Sequence, residues 1–149
     1  MLLQIKILKQ ANLRVLKEVN RLMCKIGLTA PAPQPLSLFL FKDILNQNRV
    51  HFIAAVTRRG EVIGILILYF VRIPSGLSAI LEDLVVDEKY RRWGVGRLLV
   101  ERAIKIATAK RARHLSLRTN PARVDANRLY RALGFGLMKT NFYRLNLFR

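Results

Sequence analysis

Cysteine is almost missing from this chain. Cys24 stands alone, so no intramolecular disulfide can form and a disulfide-stapled secreted scaffold is excluded. The same scarcity fits a reducing compartment, which makes the cytoplasm the expected location. Cys24 falls in an apolar helical stripe, where it is expected to be a core thiol rather than a nucleophile. Histidine is nearly as scarce: His51 and His114 are isolated, with no Cys, Asp or Glu at ligand spacing, so no metal is expected. Long apolar runs are missing too. The longest, residues 62–71, stops at Arg72, well short of the ~20 residues a membrane span needs, and reads as a buried strand. The opening MLLQIKILKQ intersperses lysines among apolar residues and has no small-residue cleavage site, unlike a secretory signal.

Acidic residues are the largest deficit. Nine Asp and Glu face 27 Lys and Arg, for a formal charge of +18. The imbalance is uneven: residues 101–149 carry twelve basic and two acidic side chains, against seven and five in residues 51–100. Such a field attracts polyanions, whether RNA, an acidic macromolecule or a phosphorylated cofactor. Charge alone does not choose among them, and a solvated basic surface satisfies it equally.

What is present suits one domain over residues 1–149, since 52% hydrophobic content supports a single core. Residues 4–8 alternate as a first strand. Asn12 then caps a helix over 13–26, with Val15, Val19, Leu22, Met23 and Ile26 on its buried face and Arg14, Lys17, Glu18, Arg21 and Lys25 in solvent. Gly27 ends that helix. Residues 30–35, rich in proline, form a stiff connector. Residues 36–47 fit either a strand or a helix for part of their length, and a helix capped by Ser37 is preferred because Asp43, Ile44 and Leu45 resume a helical period. Strands over 50–57, 62–72 and 78–86, separated by turns at 58–61 and 74–76, are expected to pair antiparallel. A helix from Val95 follows, its buried face marked by Leu98, Leu99, Arg102, Ala103 and Ile106 and widened by Val100, Ile104 and Ala107. Then come a strand over 114–118, a helix from Asn120-Pro121 to Leu133, and closing strands over 135–138 and 142–147. The fold class is α/β: a mixed, mostly antiparallel sheet with helices on both faces.

The chemistry concentrates at Arg91-Arg92-Trp93-Gly94-Val95-Gly96. Two glycines at the mouth of a helix let the chain turn tightly and let a ligand approach the backbone, where first-turn N–H groups and the helix dipole favour phosphate. Turn glycines with no ligand have the same signature, so the hexapeptide alone leaves both readings open.

Three motifs together resemble the GCN5-related N-acetyltransferases, the GNAT superfamily: Leu81-Glu82-Asp83-Leu84-Val85-Val86-Asp87, then Arg91-x-x-Gly94-x-Gly96, then Asn127-x-x-Tyr130-x-x-x-Gly134-Phe135. The element order resembles that family over nearly the whole chain. The resemblance implies a splayed central strand pair and acetyl-CoA as co-substrate, with transfer to a primary amine in a ternary complex. The acceptor stays open among a protein N-terminus, a small amine and an amino sugar. Arg91, Arg92, Gly94, Val95 and Gly96 would hold the CoA pyrophosphate. Leu84, Val85 and Val86 would pair with the pantetheine arm, and Asn127 would bond its amides. Tyr130 would protonate the departing thiolate, and Glu82, ahead of its neighbour Asp83, would take the amine proton. Each has a plainer reading, as an apolar core strand, a packed helix tyrosine or a solvated acid. Arg118, Arg123 and Arg128 flank the last helix, where Arg123 could meet the CoA 3′-phosphate. Trp93 departs from the family pattern and is read as capping its loop. Homodimers through the last strands are an implication of the resemblance as well. The competing function is a binding protein on the same fold, weakly catalytic or inactive, docking to RNA or the ribosome through its basic C-terminal third.

Overall fold

In the computed structural model, residues 3–25, 34–145 and 147 are described. The order is β1 (Leu3–Ile7), α1 (Leu13–Met23), α2 (Leu38–Asn46), β2 (Val50–Thr57), β3 (Val62–Ile73), β4 (Gly76–Val86), α3 (Val95–Ala109), β5 (Leu115–Leu117) and α4 (Val124–Ala132), with a 3-10 turn at Glu88–Tyr90. The helix starts are chemical. Asn12 Oδ1 accepts the Val15 N–H at 2.9 Å and Ser37 Oγ the Leu40 N–H at 3.1 Å, each satisfying a donor the first turn leaves open.

The strands form one five-stranded sheet in chain order. β1 to β4 pair antiparallel, and β5 runs parallel to β4. Alternation along β2 sends Ile53 and Ala55 to one face and Phe52, Ala54 and Val56 to the other. The first face packs against α3 and Tyr130, the second against Leu16, Val19 and Leu22 of α1 and Phe41 of α2. Each such fully buried apolar side chain contributes ~1.5–3 kcal/mol. Gly64 on β3 lets α3 come close: a Cβ there would stand 3.2 Å from both Leu99 Cδ1 and Val95 Cγ1.

Several expectations need correction. The buried stripe of α1 includes Leu16, with Val15 and Met23 only half-buried. Cys24 is exposed, because two residues past Leu22 lies about 200° around a helix. Glu18 is half-buried, and Arg21, though exposed, is engaged. Glu18 Oε2 accepts the Val62 N–H at 2.9 Å, and Arg21 pairs with the buried Asp87. On α3 the buried stripe is Val95, Leu99, Val100, Ala103 and Ala107, which leaves Leu98 and Arg102 exposed. α4 begins at Val124, since Asn120 Oδ1 instead accepts the Ala122 N–H at 2.8 Å in a local turn.

Among the described residues the closing strands are not formed: residues 135–145 carry no strand. Gly134 and Gly136 bracket Phe135 and disfavour extension, and β5 offers three residues of edge. Phe142 is instead stacked under the Arg118 guanidinium, 4.4 Å from its ring centroid. The expected end of the first helix at Gly27 and most of the proline connector fall in residues 26–33, outside the described residues.

Candidate active site

Two irregularities meet on β4. Against β3, Val85 pairs with Ile65 and Glu82 with Ile67, so Asp83 and Leu84 together oppose Leu66. This is a β-bulge, and Asp83 occupies the left-handed region at φ 53°. On its other side β4 pairs with β5 only from Ala79 to Leu81. Beyond that point, residues 82–86 have no strand partner on that side among the described residues. β5 ends opposite Leu81, just before the bulge. Leu84 and Val86 pack toward α3, and Val85 toward α1.

β4 feeds directly into the loop. Asp87, 2% exposed, accepts the Lys89 N–H at 3.1 Å and so caps the 3-10 turn. The chain then turns with Arg92 at φ 64° and Gly94 at φ 76°. Gly94 is the N-cap of α3, has no side chain to offer, and is followed by no acidic residue in the first turn. The first intrahelical bond runs from Leu98 N to Gly94 O at 3.0 Å. The N–H groups of Val95, Gly96 and Arg97 are therefore left without helical partners. Bare donors, the positive dipole end and exposed Arg91 and Arg92 suit an anion. A Cβ on Gly96 would make ordinary contacts with Leu129 and Val86 at 3.5 and 3.7 Å, so packing does not demand the glycine. Trp93 is 59% exposed, its ring edge-on to Tyr90 at 6.4 Å.

A cleft of about 1690 Å³ runs along β5 and α4, lined among others by Glu82, Arg118, Asn127, Tyr130 and Phe142. Tyr130 is buried edge-on against Phe135 at 5.8 Å. Burial pushes its phenol above the usual range; Arg123 opposes the shift and Glu82 adds to it. Asn127 donates to the Asn120 and Arg123 carbonyls, both at 3.0 Å, so its side-chain nitrogen closes the start of α4. Glu82 accepts from Arg118 Nη2 at 2.7 Å. Asp83 differs. Burial first, and the neighbouring Glu82 second, push its carboxyl above the usual range, and among the described residues it makes no ion pair, whereas six other carboxylates do.

The structure thus brings Tyr130, Asn127 and Glu82 to one cleft, and residues 91–96 to the mouth of α3. Sequence reasoning missed the bulge geometry of Asp83, the Arg118–Phe142 stack and the buried Asp87. Only the last left a signal, an Asp two residues before a turn N–H.

A sequence profile described as Acetyltransferase (GNAT) family matches residues 18–135. The chain belongs to the GNAT acetyltransferase family. Among curated proteins there is no significant match. Solved structures resemble this GNAT chain from end to end. A transcriptional regulator from Bacillus halodurans C-125 has 23% identity and a TM-score of 0.80, with 97% of this chain and 99% of that one covered. An acetyltransferase from Trypanosoma brucei has 24% identity and a TM-score of 0.76 at the same coverage. AAC(6')-Iy, in complex with a CoA bisubstrate analogue, has 21% identity and a TM-score of 0.75, covering 98% and 99%. At these identities the likeness shows the fold.

The GNAT fold uses acetyl-CoA, and the residues present fit it: uncapped donors at the mouth of α3 meet a diphosphate's needs, and the open side of β4 offers backbone to an extended arm. Among the described residues no group of three His, Cys, Asp or Glu could hold a metal ion. Nor, among the described residues, is any helix long and apolar enough to cross a membrane.

Proposed function

We propose that this GNAT protein transfers the acetyl group of acetyl-CoA to a primary amine by direct attack in a ternary complex. The observation that carries this reading is the convergence on β4 of the bulge at Asp83 and Leu84, the end of pairing with β5 at Leu81, and the uncapped α3 start. The thioester supplies the activated acetyl group. Residues 91–96 would hold the diphosphate by main-chain N–H groups and the two arginines. The open edge around Leu84, Val85 and Val86 would bind the pantetheine arm, with a fixed N–H aimed where negative charge develops on the carbonyl oxygen. Asn127 would contribute its side-chain oxygen.

The amine must lose a proton to attack. The carbon–nitrogen bond forms, the carbon–sulfur bond breaks, and the departing sulfur takes the proton of the Tyr130 hydroxyl, which solvent restores. A phenol raised above its ordinary pKa of ~10 carries that proton throughout the neutral range. For the amine proton the sequence favours Glu82, but the Arg118 ion pair already engages that carboxylate. We assign the base to Asp83, which stands in the bulge next to the cleft-lining Glu82, makes no ion pair among the described residues and is raised above the usual carboxylate range by burial, with Glu82 and Arg118 bordering the acceptor.

A second reading has one observation in its favour. Past Glu101, Arg102, Lys105, Lys110, Arg111, Arg113, Arg123, Arg128, Arg131, Lys139 and Arg144 are all exposed, and none is among the ion-paired cations. That surface suits RNA or another acidic macromolecule, as an acceptor or as a docking partner.

The primary test is calorimetric titration with CoA followed by thiol release from acetyl-CoA against a panel of amines and peptides. Binding and amine-dependent release are expected. Absence of both would overturn the proposal.

A further inference from the structure

The last turn of α1 grips the segment that leads into α3. Arg21 pairs through Nη1 with Asp87 Oδ2, and its Nη2 stands 3.5 Å from both Glu61 Oε1 and the Val62 carbonyl. Just past the C-cap of that helix, Lys25 Nζ lies 3.8 Å from Glu88 Oε1. That same oxygen is 3.8 Å from Arg91 Nη2. A row of opposite charges thus runs from α1 across the 3-10 turn to the first residue of the loop.

Asp87 is the pivot of this row. Its N–H closes the last rung to Ile63 O at 2.8 Å, Oδ1 accepts from Lys89 N, and Oδ2 accepts from Arg21. Its carboxylate lies just beneath the surface, sealed by the guanidinium. Burial would raise its pKa, but the Lys89 N–H and Arg21 outweigh that and hold it below the usual carboxylate range. Downstream, the backbone bonds that anchor the turn are Tyr90 N to Asp87 O at 2.9 Å and Arg91 N to Glu88 O at 3.2 Å. Beyond them come two left-handed residues, Arg92 and Gly94, and a helix start with no side-chain cap. A loop so built has little to fix its shape from within, so its geometry is inherited from Asp87.

We propose that Asp87 and Arg21 are positioning residues. Their ion pair locks the 3-10 turn, and with it residues 91–96, in the arrangement that presents the α3 N–H groups to the diphosphate of acetyl-CoA, and it ties that arrangement to the seating of α1. This rests on the donor-site reading above. It adds that donor affinity is set partly by a contact on the opposite, α1 side of the sheet.

Trp93, the single tryptophan of the chain, lies in the loop and reports on it without a label. Wild type, Arg21→Met, Arg21→Lys, Asp87→Asn and the Arg21→Met/Asp87→Asn double variant are compared by CoA calorimetry, by Trp93 emission with and without CoA, and by steady-state kinetics. The Arg21 side chain is 42% exposed, so its truncation opens no core void and keeps the test available should Asp87→Asn fail to fold. Arg21→Met and Asp87→Asn are each expected to weaken CoA binding ~10- to 100-fold. The KM for acetyl-CoA should rise in step with the loss of CoA affinity while kcat stays within about twofold of wild type, and the ligand-free Trp93 emission should shift. Arg21→Lys should recover part of the affinity, and the double variant should be no worse than the weaker single one. Wild-type affinity and emission in folded Arg21→Met, or additive losses in the double variant, would overturn the strut while leaving the donor site standing. A wild type that binds no CoA would overturn the donor site, and the strut with it.

Discussion

In the proposed reaction Tyr130 and Asp83 have opposite protonation tasks, and their surroundings suit each to its own. Tyr130 is buried and raised, so it is a proton donor at every pH below its ordinary ~10. Tyr130→Phe should lower kcat by about two orders of magnitude, and the wild-type rate should show no alkaline loss from this group below that pH. Asp83 is raised above 3.8, so its base form appears at higher pH than that of an ordinary carboxylate. The acid limb of kcat/KM should therefore rise with pH through the Asp83 value. Asp83→Asn should remove that limb together with most of the rate, whereas Glu82→Gln should keep it. A profile left unchanged in Asp83→Asn would return the role to Glu82 or to water. Tyr130 was singled out through the family resemblance, since its place on a helix with Asn127 ahead of Gly134 suits a packed tyrosine equally well. Asp83 was not, since an acid in an apolar strand gives no sign that its φ is positive; only its pairing against Leu66 does.

At the scale of elements, β2, β3 and β4 were legible to within a few residues because both their faces are apolar and turn residues punctuate them. The separation of β4 from β5 was expected from family resemblance alone, because it depends on where a partner strand ends. The closing strands failed for a related reason: alternation of apolar residues over 135–147 was visible, but the glycines and the short β5 edge that deny them a ladder act only in three dimensions. The contact between α1 and the 3-10 turn is also tertiary, and it has a pH signature. Asp87 has a folded pKa below its unfolded value, so its stabilisation is fully present above about pH 4 and is lost as pH falls through the folded value. Asp87→Asn should cost about 1–3 kcal/mol near neutrality and should flatten the acid side of the urea midpoint plotted against pH. An unaltered acid slope would show that the carboxylate is not linked to folding.

At the scale of the whole molecule, the +18 charge is concentrated where carboxylates are scarce, on α3, α4 and the segment beyond. If this surface docks RNA, the affinity for a single-stranded oligonucleotide should fall linearly on a log–log plot against salt, with a slope of roughly −0.7 per phosphate engaged. Pairwise Ala substitution of Arg128 and Arg131 should reduce that slope. No binding at low salt would remove the docking reading and leave the acetyltransferase reading intact.

The strands of the sheet also stand side by side in the order in which they are synthesised. From Val50 to Val86 this makes a meander whose rungs close short loops, whereas β1 reaches β2 only across both intervening helices. Short closures lose the least chain entropy, so the meander is the natural folding nucleus, and the first strand made is among the last to find its place. During synthesis β1 must wait for some fifty further residues to emerge, which explains the value of its short length and of Lys6 within it: both discourage the waiting edge from pairing with another chain.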